Sequence, residues 1–182
     1  MALLNELEYT GSIKIDNVEL SSISRDLIHS VTTVIPQEFA PIPGTVRDNV
    51  YPWDLNKNPD ERSATDEEII QVLQQVGLWP YIEQQGGLGV LLAAVKLSDG
   101  EKRLLGIARG ILHHQIAQTK LVLMDEATSD LDKKTETKVN AVMMKAFSSC
   151  TVLAVTHYSQ ILEDTQVLVE VMDGRLTVLR DG

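Results

Sequence analysis

The sequence predicts an α/β protein built on a parallel sheet. Short apolar runs recur at VTTVI (31–35), LVLM (121–124) and TVLAVT (151–156), each bounded by polar residues. Between them lie stretches with helical spacing, two of which open on a capping box: Thr65 with Glu68, and Ser98 with Glu101. Apolar strands that alternate with helices favour a parallel sheet.

Taken in order, MALLNELEYT (1–10) reads as the last turns of a helix, with no basic region leading a long apolar stretch as in a signal peptide. GSIKIDNVEL (11–20) reads as two short strands around the turn Asp16-Asn17. A short helix over 25–30 precedes the strand VTTVIPQ, which ends at Pro36-Gln37. Residues 38–57, with Pro41, Pro43 and Pro52, form an ordered loop with a brief helix over 45–50. A helix over 67–76 stops at Gly77. A second helix begins at Ser98 and carries Leu104, Leu105, Ala108, Ile111 and Leu112 on one side. After the strand 121–124 come a helix over 133–148, the strand 151–156, and a closing hairpin around Asp173-Gly174. The glycine cluster 86–89 lacks the flanking elements of a dinucleotide loop and is given no phosphate role.

Length and composition exclude several classes. The 182 residues suit one domain, with 43% hydrophobic and 23% charged residues. With 26 acids against 16 bases the net charge is −10, which argues against a generic nucleic-acid binder. The longest apolar candidate span, LGVLLAAV (88–95), falls far short of the ~18 residues a membrane span needs. Cys150 reads as a reduced core residue in a cytosolic setting. His113 and His114 read as surface loop residues, since no cysteine or acid lies at ligand spacing.

Three of the expected strands end in polar residues: Gln37, the pair Asp125-Glu126, and His157. Alone, each has a plainer reading as a turn, cap or strand-end residue. In a parallel sheet, however, ligands sit beyond the carboxyl ends of the strands, where the three would line one crevice. Nucleotide hydrolysis uses such a set. One carboxylate holds Mg²⁺ through water, and a second orients or deprotonates the attacking water. A glutamine bridges metal and water, and a histidine donates to the terminal phosphate.

LSDGEKRLLGIARG (97–110) followed by LVLMDEATSDLD (121–132) resembles the signature motif and Walker B of ABC-type ATPases. With Gln37 before and His157 after, the order is Q-loop, signature, Walker B, D-loop (129–132) and H-loop. The stretch from Thr10 to Asp54 is similar to the second nucleotide-binding domain of the C subfamily, the multidrug-resistance-associated transporters, and the resemblance runs over nearly the whole chain. It implies a P-loop NTPase-like parallel core, a helical subdomain over about 45–112 carrying the signature, and a short antiparallel part.

The resemblance implies roles. Asp125 would coordinate Mg²⁺, Glu126 would act as general base, and Gln37 would sense metal and lytic water. His157 would contact the γ-phosphate of ATP. Asp132 would belong to the dimer-facing D-loop. Ser98 and Gly100 would present hydroxyl and backbone N–H groups to an ATP held by a partner domain. Implied partners are a second ABC ATPase domain, head to tail, and the transmembrane domains of an exporter, near which residues 38–53 would lie. No nucleic acid is expected. The implied location is the cytoplasmic side of a membrane through the transporter, with the isolated chain soluble.

The pattern departs from the family in two ways. No G-x-x-x-x-G-K-[ST] loop occurs, and no Gly-Lys pair occurs anywhere in the sequence. The expectation is a chain that starts just inside the helix after that loop, lacks the first strand, and binds nucleotide weakly or not at all by itself. In addition, Asp99 and Glu101 stand where the family's LSGGQ has glycine and glutamine. Three readings follow: an ATPase-domain fragment of an exporter, a non-catalytic module that completes a partner's site, or a truncated product without activity.

Overall fold

The computed structural model describes residues 2–4, 7–55, 62–129, 131–157, 162 and 165–181. Its centre is a three-stranded parallel sheet in the order β3 (Thr32–Ile35), β4 (Leu121–Asp125), β5 (Thr151–Val155). Thr32 pairs with Leu121 and Ile35 with Met124, while Leu121 pairs with Thr151 and Asp125 with Val155. All three carboxyl ends therefore reach the same edge of the sheet. Two antiparallel pairs lie apart from it: β1 (Lys14–Ile15) with β2 (Val18–Glu19), and β6 (Leu168–Met172) with β7 (Arg175–Arg180).

Alternation along the strands divides the core in two. Ile35, Val122 and Met124 join the larger core, built with the helices α2 (Val46–Val50), α3 (Asp66–Val76), α5 (Asp99–Ala117) and α6 (Lys133–Ala146). Leu123 faces the other way, onto Leu4, Leu20 and Ile28, the last carried by α1 (Arg25–Val31). The longest helix, α5 with 19 residues, lies directly against β3. Gly110 permits this: a Cβ there would stand 2.7 Å from Cγ1 of Ile35.

Local signals explain the element ends. Both expected capping boxes form, at Thr65 with Glu68 and Ser98 with Glu101, and a further one opens α2 through Thr45 and Asp48. Gly77, at φ 85°, ends α3 in the left-handed conformation a glycine adopts without strain. The strand expected to run to Gln37 stops at Ile35, because Pro36 has no N–H to give to a ladder. The helix expected to reach Ser148 ends at Ala146, with Phe147 as its cap.

Three expectations are corrected. Among the described residues of the N-terminal segment the helical part is a 3₁₀ turn over Ala2–Leu4, whose Leu4 is buried, and residues 7–10 are not helical; residues 1, 5 and 6 lie outside the described residues. An additional helix, α4 (Trp79–Gln84), follows Gly77, with Pro80 in its first turn where the missing N–H is harmless. His113 and His114 are not in a surface loop. α5 continues through them to Ala117, and His113 is buried. No described helix is long and apolar enough to cross a membrane.

Candidate functional site

The parallel register carries Gln37, Glu126 and His157 just past the ends of β3, β4 and β5. There they meet around one carboxylate. Glu126 Oε2 accepts from Gln37 Nε2 at 3.4 Å, and Glu126 Oε1 lies 3.5 Å from His157 Nε2. Both contacts are long for hydrogen bonds. The Glu126 side chain is 27% exposed and that of His157 is 88% exposed, so the group sits at an open rim. Asp125, the last residue of β4, is exposed one position earlier.

The backbone at Glu126 is unusual. Its φ of 42° lies in the left-handed region, which a residue bearing a Cβ adopts only at a cost of order 1–3 kcal/mol. Several bonds hold it there. Glu126 N–H donates to Val155 O at 2.9 Å, and Glu126 O accepts from Ser129 N–H and from Ser129 Oγ, each at 3.2 Å.

Arg103, absent from the residues picked out in the sequence, joins this set. Its Nη1 donates to Glu126 O at 3.0 Å and also to Gln37 O. One guanidinium thus ties the backbones of two strand-end residues to α5. The sequence signal was faint: a base five positions after Ser98, on a helix already read as amphipathic. Six positions on, Arg109 donates to Asn49 O at 2.7 Å and Ala40 O at 3.1 Å, and its guanidinium lies 4.4 Å from the centre of the Phe39 ring. Burial pushes Arg109 down to about 10. The segment after Gln37 is therefore held from α5 at both of its ends.

The other candidates stand apart from the carboxylate. Ser98 is the exposed N-cap of α5, and Gly100 is half-buried in the first turn. Asp132 caps α6, its Oδ1 accepting from Lys134 N–H at 3.1 Å and Thr135 N–H at 3.2 Å. Bonding to Thr135 holds its carboxyl below the usual range. Asp130, the second residue of the expected D-loop, lies outside the described residues. Asp99, likewise in the first turn of α5, is held low by Lys102, whose Nζ is 2.8 Å away.

Beside the site, between β3 and α5, is a cavity of about 340 Å³, lined by Phe39, Pro52, Trp53, Arg103, Arg109 and His113 among others. Trp53 stacks on His113 with centroids 4.1 Å apart and planes 7° from parallel. Desolvation, and secondarily His114, pushes His113 down to about 4, so at neutral pH the ring is uncharged. His113 Nδ1 lies 3.2 Å from Thr33 Oγ1, and that hydroxyl is 2.8 Å from Thr119 Oγ1.

Comparison with known proteins places this arrangement. The family model described as "ABC transporter" matches residues 1–129. The ABC transporter atnG of Emericella nidulans is 32% identical over 173 residues, spanning 94% of this chain and 10% of that protein. The ABC transporter C family MRP4 of Zea mays is 28% identical over 179 residues, spanning 96% of this chain and 11% of that protein. The chain thus spans about a tenth of the length of the curated relatives it matches. A solved structure of a bacterial Atm1-family ABC exporter with ATP bound superposes with a TM-score of 0.81, at 22% identity, over 96% of this chain and 30% of that one. At that identity the match speaks for the fold: a parallel core with a separate antiparallel pair, as in an ABC exporter's ATPase. The chain belongs to the ABC transporter family and corresponds to its ATP-binding domain.

Proposed function

We propose that these residues form the hydrolytic side of an ATP site in an exporter of the C subfamily, within its second nucleotide-binding domain. The observation that carries the reading is the meeting of Gln37 and His157 on the Glu126 carboxylate at the rim of three parallel strands. Glu126 is the general base for the attacking water. Gln37 orients that water, and His157 donates to the terminal phosphate.

The donor set fits Mg²⁺. The ion prefers oxygen ligands and keeps several waters, so it needs only one or two protein groups beside the phosphates. Asp125 and the amide oxygen of Gln37 are such groups, and both side chains are exposed at the rim. Bound there, Mg²⁺ would neutralise charge on the transferred phosphoryl group.

Binding of the β- and γ-phosphates falls to a G-x-x-x-x-G-K-[ST] loop outside these 182 residues. The free edge of β5 supports this. No described strand pairs on that side, and Leu153 (52% exposed) and Val155 (59% exposed) lie open beside it, as a further strand would require. The segment about 45–112 is the helical subdomain. Its N-terminal part and the cavity at Phe39, Pro52 and Trp53 face the transmembrane domains on the cytoplasmic side of the membrane. A second ATPase domain packs head to tail, with Asp132 and the Ser98–Gly100 turn on that face.

A second reading is favoured by the loop's absence from the sequence: a module that lends only Ser98 and Gly100 to a partner's ATP. Titration calorimetry with MgATP tests both. The chain alone is expected to bind nucleotide weakly or not at all, whereas its mixture with a loop-bearing ABC ATPase domain binds more tightly than that domain alone. Tight binding by the isolated chain contradicts the assignment of phosphate binding to a loop elsewhere. Turnover that depends on Glu126, once the chain is joined to a loop-bearing segment, favours the hydrolytic reading over the module.

A further inference from the structure

The N-terminus of α5 is already occupied by the chain's own carboxylate. Glu101 Oε2 accepts the Ser98 hydroxyl at 2.7 Å and the Ser98 N–H at 2.8 Å, while Glu101 N–H donates back to Ser98 Oγ at 3.3 Å. Asp99 takes no part: its side chain is 88% exposed and paired with Lys102. A serine hydroxyl has one hydrogen to give, so while it points at Glu101 it is not available to a phosphate. The positive end of the helix is also already compensated by that carboxylate. An arriving phosphate gains less from the helix and meets a like charge.

We propose that Glu101 is a specificity-determining residue that keeps the Ser98–Gly100 half-site closed to the terminal phosphate of MgATP until its carboxylate turns away from Ser98. This rests on the reading of Ser98 and Gly100 as a half-site for nucleotide held by a partner. Glutamine at position 101 separates the charge from the cap. Its amide oxygen accepts the same two hydrogens, but a neutral acceptor holds the hydroxyl less strongly and does not repel phosphate. With glutamate the half-site takes a γ-phosphate only at the cost of turning that carboxylate away; with glutamine it admits one without that cost.

The test is the MgATP-dependent association of this chain with an ABC ATPase domain that carries G-x-x-x-x-G-K-[ST], compared for wild type, Glu101→Gln, and Glu101→Gln combined with Ser98→Gly. Ser98→Gly is chosen because glycine remains an acceptable N-cap, so the helix survives loss of the hydroxyl. Glu101→Gln is expected to tighten association about tenfold, the scale of one charged hydrogen bond, and adding Ser98→Gly to remove that gain. If Glu101→Gln leaves association unchanged or weaker while adding Ser98→Gly weakens it, the role given to Glu101 is overturned and the half-site stands. If adding Ser98→Gly has no effect, or no variant associates, the half-site reading fails and the role of Glu101 fails with it.

Discussion

Glu126 is held in a conformation that an L-residue avoids, and the residues that hold it are those nearest the proposed chemistry. Arg103 is the clearest of them, because it reaches both Glu126 O and Gln37 O from α5. Replacing Arg103 with methionine leaves two carbonyls without that donor and is expected to lower stability by about 1–3 kcal/mol. In hydrogen exchange, faster exchange at the Glu126 and Ser129 amides, with β3 unaffected, is the expected result. His113 gives a pH dependence. Its pKa falls from 6.5 to about 4 on folding, so the unfolded chain binds more protons, and stability is lost as pH drops from about 6.5 towards 4. The loss at pH 4 is about 3 kcal/mol. His113→Phe keeps a ring against Trp53, and Thr33 keeps Thr119; urea unfolding of this variant should lack that component of acid sensitivity. The sequence made Gln37, Glu126 and His157 legible because each follows a strand. It hid His113 and Arg103, whose positions depend on how far α5 runs and which strand ends it faces.

At the scale of elements, what could be read was what local chemistry decides. Capping boxes at Thr65 and Ser98 marked two helix starts, and Gly77 marked a stop. The six-residue α4 was missed because a helix so short shows little periodicity and its proline reads as a breaker. The N-terminal helix is expected from apolar, helix-favouring residues and from the resemblance, yet the turn over Ala2–Leu4 buries Leu4 against Leu20 and Ile28. Packing of α5 on β3 was likewise invisible, since Gly110 matters only through Ile35 across the interface. Gly110→Ala forces a contact of 2.7 Å on the Ile35 side chain. The expected cost is about 1–3 kcal/mol, seen as a lower melting temperature; an unchanged melting temperature would mean that the helix shifts freely on the strand.

Across the whole molecule, apolar surface gathers on β5 and the β6–β7 hairpin. Leu153, Val155, Val171, Met172, Leu176 and Val178 are all more than half exposed. An open strand edge with apolar neighbours is a template for pairing with another chain. The isolated chain is therefore expected to self-associate as its concentration rises, and Leu153→Lys with Val155→Lys to suppress this in sedimentation velocity. The net charge of −10 opposes association but is spread along the chain rather than set against that edge. The same strand reaches the rim, where Val155 O accepts from the N–H of Glu126.

MgATP turnover after the chain has been joined to a loop-bearing segment tests the central claim most directly, with wild type compared to Glu126→Gln. Loss of turnover by about 10²–10⁴-fold, with MgATP still bound, is the predicted result. Near-normal hydrolysis by Glu126→Gln would contradict it.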